Sequence, residues 1–264
     1  MKGVKEMINE IKGRISNKEI LIRLNGFIIS YFGWIIFTLL YEYFGRWSID
    51  VTEEFLKLPL TSKSLVLELL DITKSIFPLY VLLRGVYYIG FAGSIGFMVI
   101  YILLYLRDIR TSDELLGGYL SAYIIAGVTY TLFHVYAPHY VYHIPGYPLT
   151  NTLLTRQEFV FPSLHNAFAA INIIVIWKYK RKIGAKVLLL LNTLIPFATV
   201  FLAHHWIYDV VSGFALGIAA LKISKKVMKG VPKTIYNIEL KVLRALTVFN
   251  VALVVLLLFL SLEY

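Results

Sequence analysis

Seven stretches of this chain are long enough to cross a bilayer and nearly free of charge: Leu24–Tyr41, Gly85–Leu106, Leu115–Tyr136, Phe159–Trp177, Val187–Ala203, His205–Leu221 and Ala245–Leu262. A spanning helix needs about 20 mostly apolar residues, because the hydrocarbon layer is about 30 Å thick and each residue rises about 1.5 Å. Of the seven, only His205–Leu221 contains an acidic or strongly basic group, Asp209 near its start. The chain therefore reads as all-α, a polytopic membrane helical bundle of about seven transmembrane helices. Composition agrees: 58% of residues are hydrophobic and 16% charged, against roughly 45–50% and 25% in a soluble domain. A soluble enzyme, a disordered regulator and a disulfide scaffold are excluded, and with no cysteine there is no thiolate metal site or cysteine nucleophile.

Ser64–Leu83 is apolar but interrupted by Glu68, Asp71 and Lys74. Leu65, Leu69, Ile72, Ile76 and Leu79 recur at helical spacing while Glu68, Asp71 and Ser75 fall elsewhere, the pattern of an amphipathic helix lying along the interface. Residues 48–83 are accordingly expected to be interfacial, on the outer face. With the N-terminus cytoplasmic, the inner segments carry six Lys/Arg in 1–23, two in 107–114, five in 178–186 and seven in 222–244, or 20 of the 26. Basic residues in short loops set orientation, and an eighth span at Ser64–Leu83 would break this bias. The net charge of +10 is thus an orientation signal facing the inner leaflet, and nucleic acid is not an expected partner. Residues 1–23 are too long and too acidic for a signal peptide. The chain reads as a single membrane domain over 1–264, with a cytoplasmic segment at 1–23 and a basic cytoplasmic loop at 222–244. Gly213 and Gly217 allow close helix packing, and Pro196 is expected to kink its span.

Ionisable groups in membrane spans are costly and point to function. Two clusters stand out: Phe161-Pro162-Ser163-Leu164-His165-Asn166 and His204-His205-Trp206-Ile207-Tyr208-Asp209. Pro162 suits a first helical turn and Ser163 can cap it, which puts His165 at the start of the fourth span. His205 and Asp209, four apart, are expected on one helical face at the start of the sixth. The alternating topology brings both clusters to the outer end of the bundle. A carboxylate that fixes one histidine's tautomer makes its other nitrogen a nucleophile or base. A second histidine can protonate a leaving oxygen, and a helix N-terminus offers N–H donors to a phosphate. Any one of these histidines could simply cap a helix or meet a headgroup; their convergence at one depth favours phosphoryl transfer.

These motifs, in this order and about 40 residues apart, resemble the type 2 phosphatidic acid phosphatase superfamily, with a six-helix core plus one helix here. Phe-Pro-Ser-Leu-His, His-His-aromatic-x-x-Asp and Ala137-Pro138 are similar to the inositol phosphorylceramide synthase branch. The resemblance covers roughly 115–221. It implies that His205 is the nucleophile, Asp209 its orienting partner and His165 the general acid and later base. It implies an integral membrane lipid phosphatase or phosphotransferase acting on a lipid-linked phosphate at the outer face through a phosphohistidine, with no cofactor. The alternative is a non-catalytic protein of the same fold that binds or moves lipids. The chain departs from the superfamily in lacking any Arg-Pro pair, and in having Ala198 and Thr199 where the last motif begins Ser-Arg. The usual cationic phosphate clamp is missing, which tilts the expectation toward transfer. Candidate substitutes for substrate binding are Ser163, His204, Arg156, His139 and His143, with Gln157 nearby. The prolines around His139 and His143 argue against a metal pair, so no metal site is expected.

Overall fold

A computed structural model describes residues 16–151, 156–230 and 233–262. Residues 1–15 of the expected cytoplasmic segment lie outside them. Among the described residues, ten longer helical segments follow in order, apart from short 3-10 turns: α1 Asn17–Phe44, α2 Thr52–Leu56, α3 Lys63–Ser75, α4 Phe77–Leu106, α5 Ile109–Leu132, α6 Pro138–Val141, α7 Leu164–Ile176, α8 Ile183–Phe201, α9 Ile207–Lys229 and α10 Leu240–Leu262. Two-residue strands Ile49–Asp50 and Phe133–His134 pair in parallel between α1 and the end of α5. The chain is a multi-pass integral membrane protein: among the described residues α1, α4, α5, α8, α9 and α10 are long and apolar enough to cross a bilayer.

The expected fourth span, Phe159–Trp177, is shorter than the sequence suggests. Helix begins only at Leu164, because Ser163 caps it by accepting the Asn166 N–H, and α7 has 13 residues before a single 3-10 turn at Trp177–Tyr179. Pro162 lies outside the helix, ahead of the cap, rather than in its first turn. At about 1.5 Å per residue, α7 covers about 20 Å.

The expected interfacial segment also divides differently. The helical ladder breaks at Ile76, whose backbone is non-helical, and α4 starts at Phe77 with Pro78 in its first turn. Phe77–Leu83 therefore belongs to a long span and not to the amphipathic helix. In α3 the buried face is Val66, Leu70 and Thr73, while Ile72 and Ile76 are half exposed. The helix packs inward by a different stripe from the one its leucine spacing suggests, because Val66 and Leu70 meet Phe55, Val135 and Trp206. The basic loop at 222–244 is likewise mostly helical, with α9 running to Lys229 and α10 starting at Leu240. Pro196 lies inside α8, which continues through it.

Helix α9 lies between α5 and α7 at the centre of the bundle. Its contact with α7 is backbone to backbone. A Cβ at Gly213 would stand 2.6 Å from the Ser163 carbonyl oxygen, and one at Gly217 2.6 Å from that of Ala167. Only glycine permits this approach. At one end of the bundle Arg23 is buried against Asp113 at 2.9 Å, and Lys178 meets Asp108 at 3.9 Å. The two histidine motifs lie at the other.

Gly213→Ala is expected to lower stability by about 1–3 kcal/mol, since backbone has to move to admit the methyl. Gly33→Ala, where nothing lies within 4 Å of the added carbon, should leave the thermal midpoint in detergent unchanged or slightly raised. Equal midpoints for the two variants would refute the close-packing account.

Candidate active site

Three helix ends meet at the histidine pole. The α8–α9 turn is folded by the Thr199 carbonyl, which accepts the backbone N–H of both His204 and His205 at 3.0 Å. Ala203, just before them, holds a left-handed backbone at φ 55°, a conformation that costs an L-residue roughly 1–2 kcal/mol. The turn is locked by His139 of α6, whose N–H and ring Nδ1 both reach the Ala203 carbonyl, at 3.1 and 3.0 Å. Burial pushes the His139 imidazolium pKa down, outweighing the hydrogen bonds to Ala203 and Gln157 that favour charge. His139 is therefore neutral near pH 7, and its Nδ1 carries the proton.

His205 and Asp209 do not share a helical face, since α9 starts at Ile207 and Trp206 is its cap residue. Asp209 reaches back from the first turn instead. Its Oδ2 accepts the Trp206 N–H at 2.7 Å and meets His205 Nδ1 at 3.3 Å. A carboxylate only accepts, so Nδ1 carries the proton and the Nε2 lone pair is free. That Nε2 lies 3.3 Å from Ser163 Oγ and 3.3 Å from His165 Nδ1. The two histidine motifs are thus in direct contact, and Ser163, Asp209 and Asn166 around them are fully buried.

The other expected binding residues separate. His204 joins the cluster: it is 8% exposed, its Nε2 has no hydrogen-bond partner, and its ring lies 5.1 Å from that of His139. Arg156 turns away. It pairs with Glu158 at 3.1 Å and Glu42 at 3.8 Å, and its guanidinium stacks over Tyr41. His143 is exposed, at a left-handed position with φ 49°. Among the described residues no group of three or more His, Asp or Glu is arranged to hold a metal.

Tyr87 escapes a reading of the sequence, and the roles of Asn166 and Thr199, though both are named there, escape it too. The Tyr87 ring of α4 lies flat on His204, 3.9 Å away and 2° from parallel, and stacks on His165 at 5.1 Å. Nothing in an aromatic-rich span singles out that tyrosine. Asn166 gives its side-chain N–H to Ser163 Oγ at 3.0 Å and to Thr199 Oγ1 at 3.2 Å, tying α7 to α8. Both belong to stretches where the motifs fall, but their roles come from a three-dimensional contact that spacing does not report.

Fold and site together define a multi-pass membrane protein with two histidines and a carboxylate joined at the ends of three helices. The family model of the PAP2 superfamily matches residues 70–223, more than half of the chain, and the chain belongs to that superfamily. Its members are phosphatases and phosphotransferases, and membership points to a phosphatase-type, lipid-related function. The match runs from the end of α3 to α9 and leaves α1 and α10 outside. An uncharacterized protein of Methanocaldococcus jannaschii is 28% identical over 215 residues, covering 80% of this chain and 86% of its own length. No solved structure matches the chain.

Ser163→Ala is expected to cost about 1–2 kcal/mol, because the first turn of α7 loses the acceptor of its Asn166 N–H. Thermal unfolding in detergent measures this; an unchanged midpoint would show that the cap contributes nothing.

Proposed function

We propose that this chain transfers or hydrolyses a lipid-linked phosphate, with His205 as nucleophile, Asp209 orienting it and His165 as acid and base. The observation that carries the reading is the line Asp209 Oδ2, His205 Nδ1, His205 Nε2, His165 Nδ1, with each polar contact at 3.3 Å. The Nε2 lone pair of His205 forms a bond to phosphorus while the bond from phosphorus to the lipid oxygen breaks. Protonated His165 gives its proton to that leaving oxygen. An acceptor hydroxyl then attacks the phosphohistidine, its proton passes to His165, and the N–P bond breaks to free His205. Asp209 stabilises the positive charge that develops on the His205 ring. The N-terminal turn of α7 supplies further favourable potential for the phosphate.

Water as acceptor makes the enzyme a phosphatase; a lipid hydroxyl makes it a transferase. The sequence likeness to the inositol phosphorylceramide synthase branch, and the absence of an Arg-Pro pair, favour transfer of a phospho-headgroup. The basic bias of segments 178–186 and 222–244 favours a cytoplasmic N-terminus and a site at the outer face. Ser163 and His204 are the binding residues best supported by their contacts, with His139 behind them. Arg156, paired with Glu158 and Glu42, and exposed His143 are the least supported.

Incubation of purified protein with a mixed lipid extract, followed by mass spectrometry, should show headgroup loss or exchange. His205→Ala is expected to abolish it. Asp209→Asn should slow it by about 10²–10⁴-fold, because the ring is then no longer held in the required tautomer. Turnover retained by His205→Ala sinks the mechanism.

A further inference from the structure

One charge in the bundle has no explanation in the chemistry above. Arg84 is the sole charged residue of the 30-residue span α4. It lies two turns into that helix, where an unpaired guanidinium is costly and a function is expected of it. It is exposed on the side of the bundle, and among the described residues no carboxylate lies within 4.0 Å of it. Its guanidinium is held between two aromatic rings one helical turn to either side, 5.4 Å from the Tyr80 centroid and 5.5 Å from that of Tyr88. Cation–π contacts of this kind position the group without neutralising it.

The same flank of α4 forms a wall of the candidate site. Tyr87, three residues on and so adjacent on the helix surface, stacks on His204 and His165. Tyr88 meets His204 edge to face at 5.9 Å. His204 in turn keeps a buried Nε2 with no partner. A cation with no carboxylate partner and an unused ring nitrogen therefore flank one aromatic pair, beside the proposed nucleophile, on a side of α4 where apolar Val81, Leu82 and Ile89 are also exposed.

We infer that Arg84 is the residue that holds the charge of the lipid-linked phosphate, and that the headgroup reaches His205 sideways from the membrane along the Tyr87–Tyr88 face of α4. This deepens the phosphoryl-transfer reading and rests on it for the role of His205. A guanidinium suits a phosphate because its planar donors match two phosphate oxygens at once. The competing account is that Arg84 snorkels to the headgroup layer as a membrane anchor.

Calorimetric titration of the purified protein in maltoside detergent with dodecyl phosphate separates the two. Wild type should bind the probe; Arg84→Gln is expected to weaken binding at least tenfold, and Arg84→Lys, which keeps the charge but not the paired planar donors, to recover only part of the loss. Arg110→Gln, exposed at the opposite end of the bundle, should bind as wild type, and His205→Ala should still bind. Thermal midpoints of all variants establish that they are folded. Equal affinity of Arg84→Gln and wild type, or no binding by wild type, overturns the inference. Binding that depends on Arg84 in a protein that turns over no lipid would uphold the charge-holding role and defeat the catalytic reading instead.

Discussion

The candidate site depends on how closely two backbones approach. Helices α7 and α9 touch at Gly213 and Gly217, where the α9 backbone lies directly against the Ser163 and Ala167 carbonyls. That contact sets the Ser163 N–H 3.4 Å from the Asp209 carbonyl and so fixes the relative height of the two histidine motifs. In a bilayer no hydrophobic force drives helices together, and van der Waals contact between small residues does that work. Separating these helices by the width of a methyl would part His165 from His205. The two glycines belong to the chemistry as much as to the fold.

The rest of the pole is built to hold the α8–α9 turn still. Thr199 collects two backbone N–H groups, Asp209 takes a third, and His139 pins the strained Ala203 carbonyl from above. Buried polar groups without partners are expensive, and most here are satisfied within the turn. The exceptions, His204 Nε2, Asn166 Oδ1 and Asp209 Oδ1, cluster around the histidines. The opposite pole is held by ordinary ion pairs, Arg23 with Asp113 and Lys178 with Asp108.

Much of this was legible in the residues. Apolar runs report spans because the hydrocarbon layer demands a length, and among the described residues six helices are long and apolar enough to cross. The convergence of Ser163, His165, His205 and Asp209 followed from alternating topology alone. Boundaries were less legible. Counting uncharged residues cannot see that Ser163 starts α7 four residues after Phe159, or that Ile76 breaks the chain before Pro78. The helical argument for His205 and Asp209 found the right pair with the wrong geometry, since Asp209 acts as a first-turn acceptor and His205 stands outside the helix. Arg156 looked available in sequence, but Glu158, two residues later, occupies it. Tyr87 was invisible because its importance lies in what it touches.

Tyr87 also removes independence from the site. One ring from α4 packs on an imidazole from the α8–α9 turn and on another from α7. Any tilt of α4 would shift that shared surface against both. The position of α4 and the alignment of His204 and His165 are therefore a single mechanical variable. A molecule that displaced α4 would disturb both imidazoles at once, whatever its own chemistry.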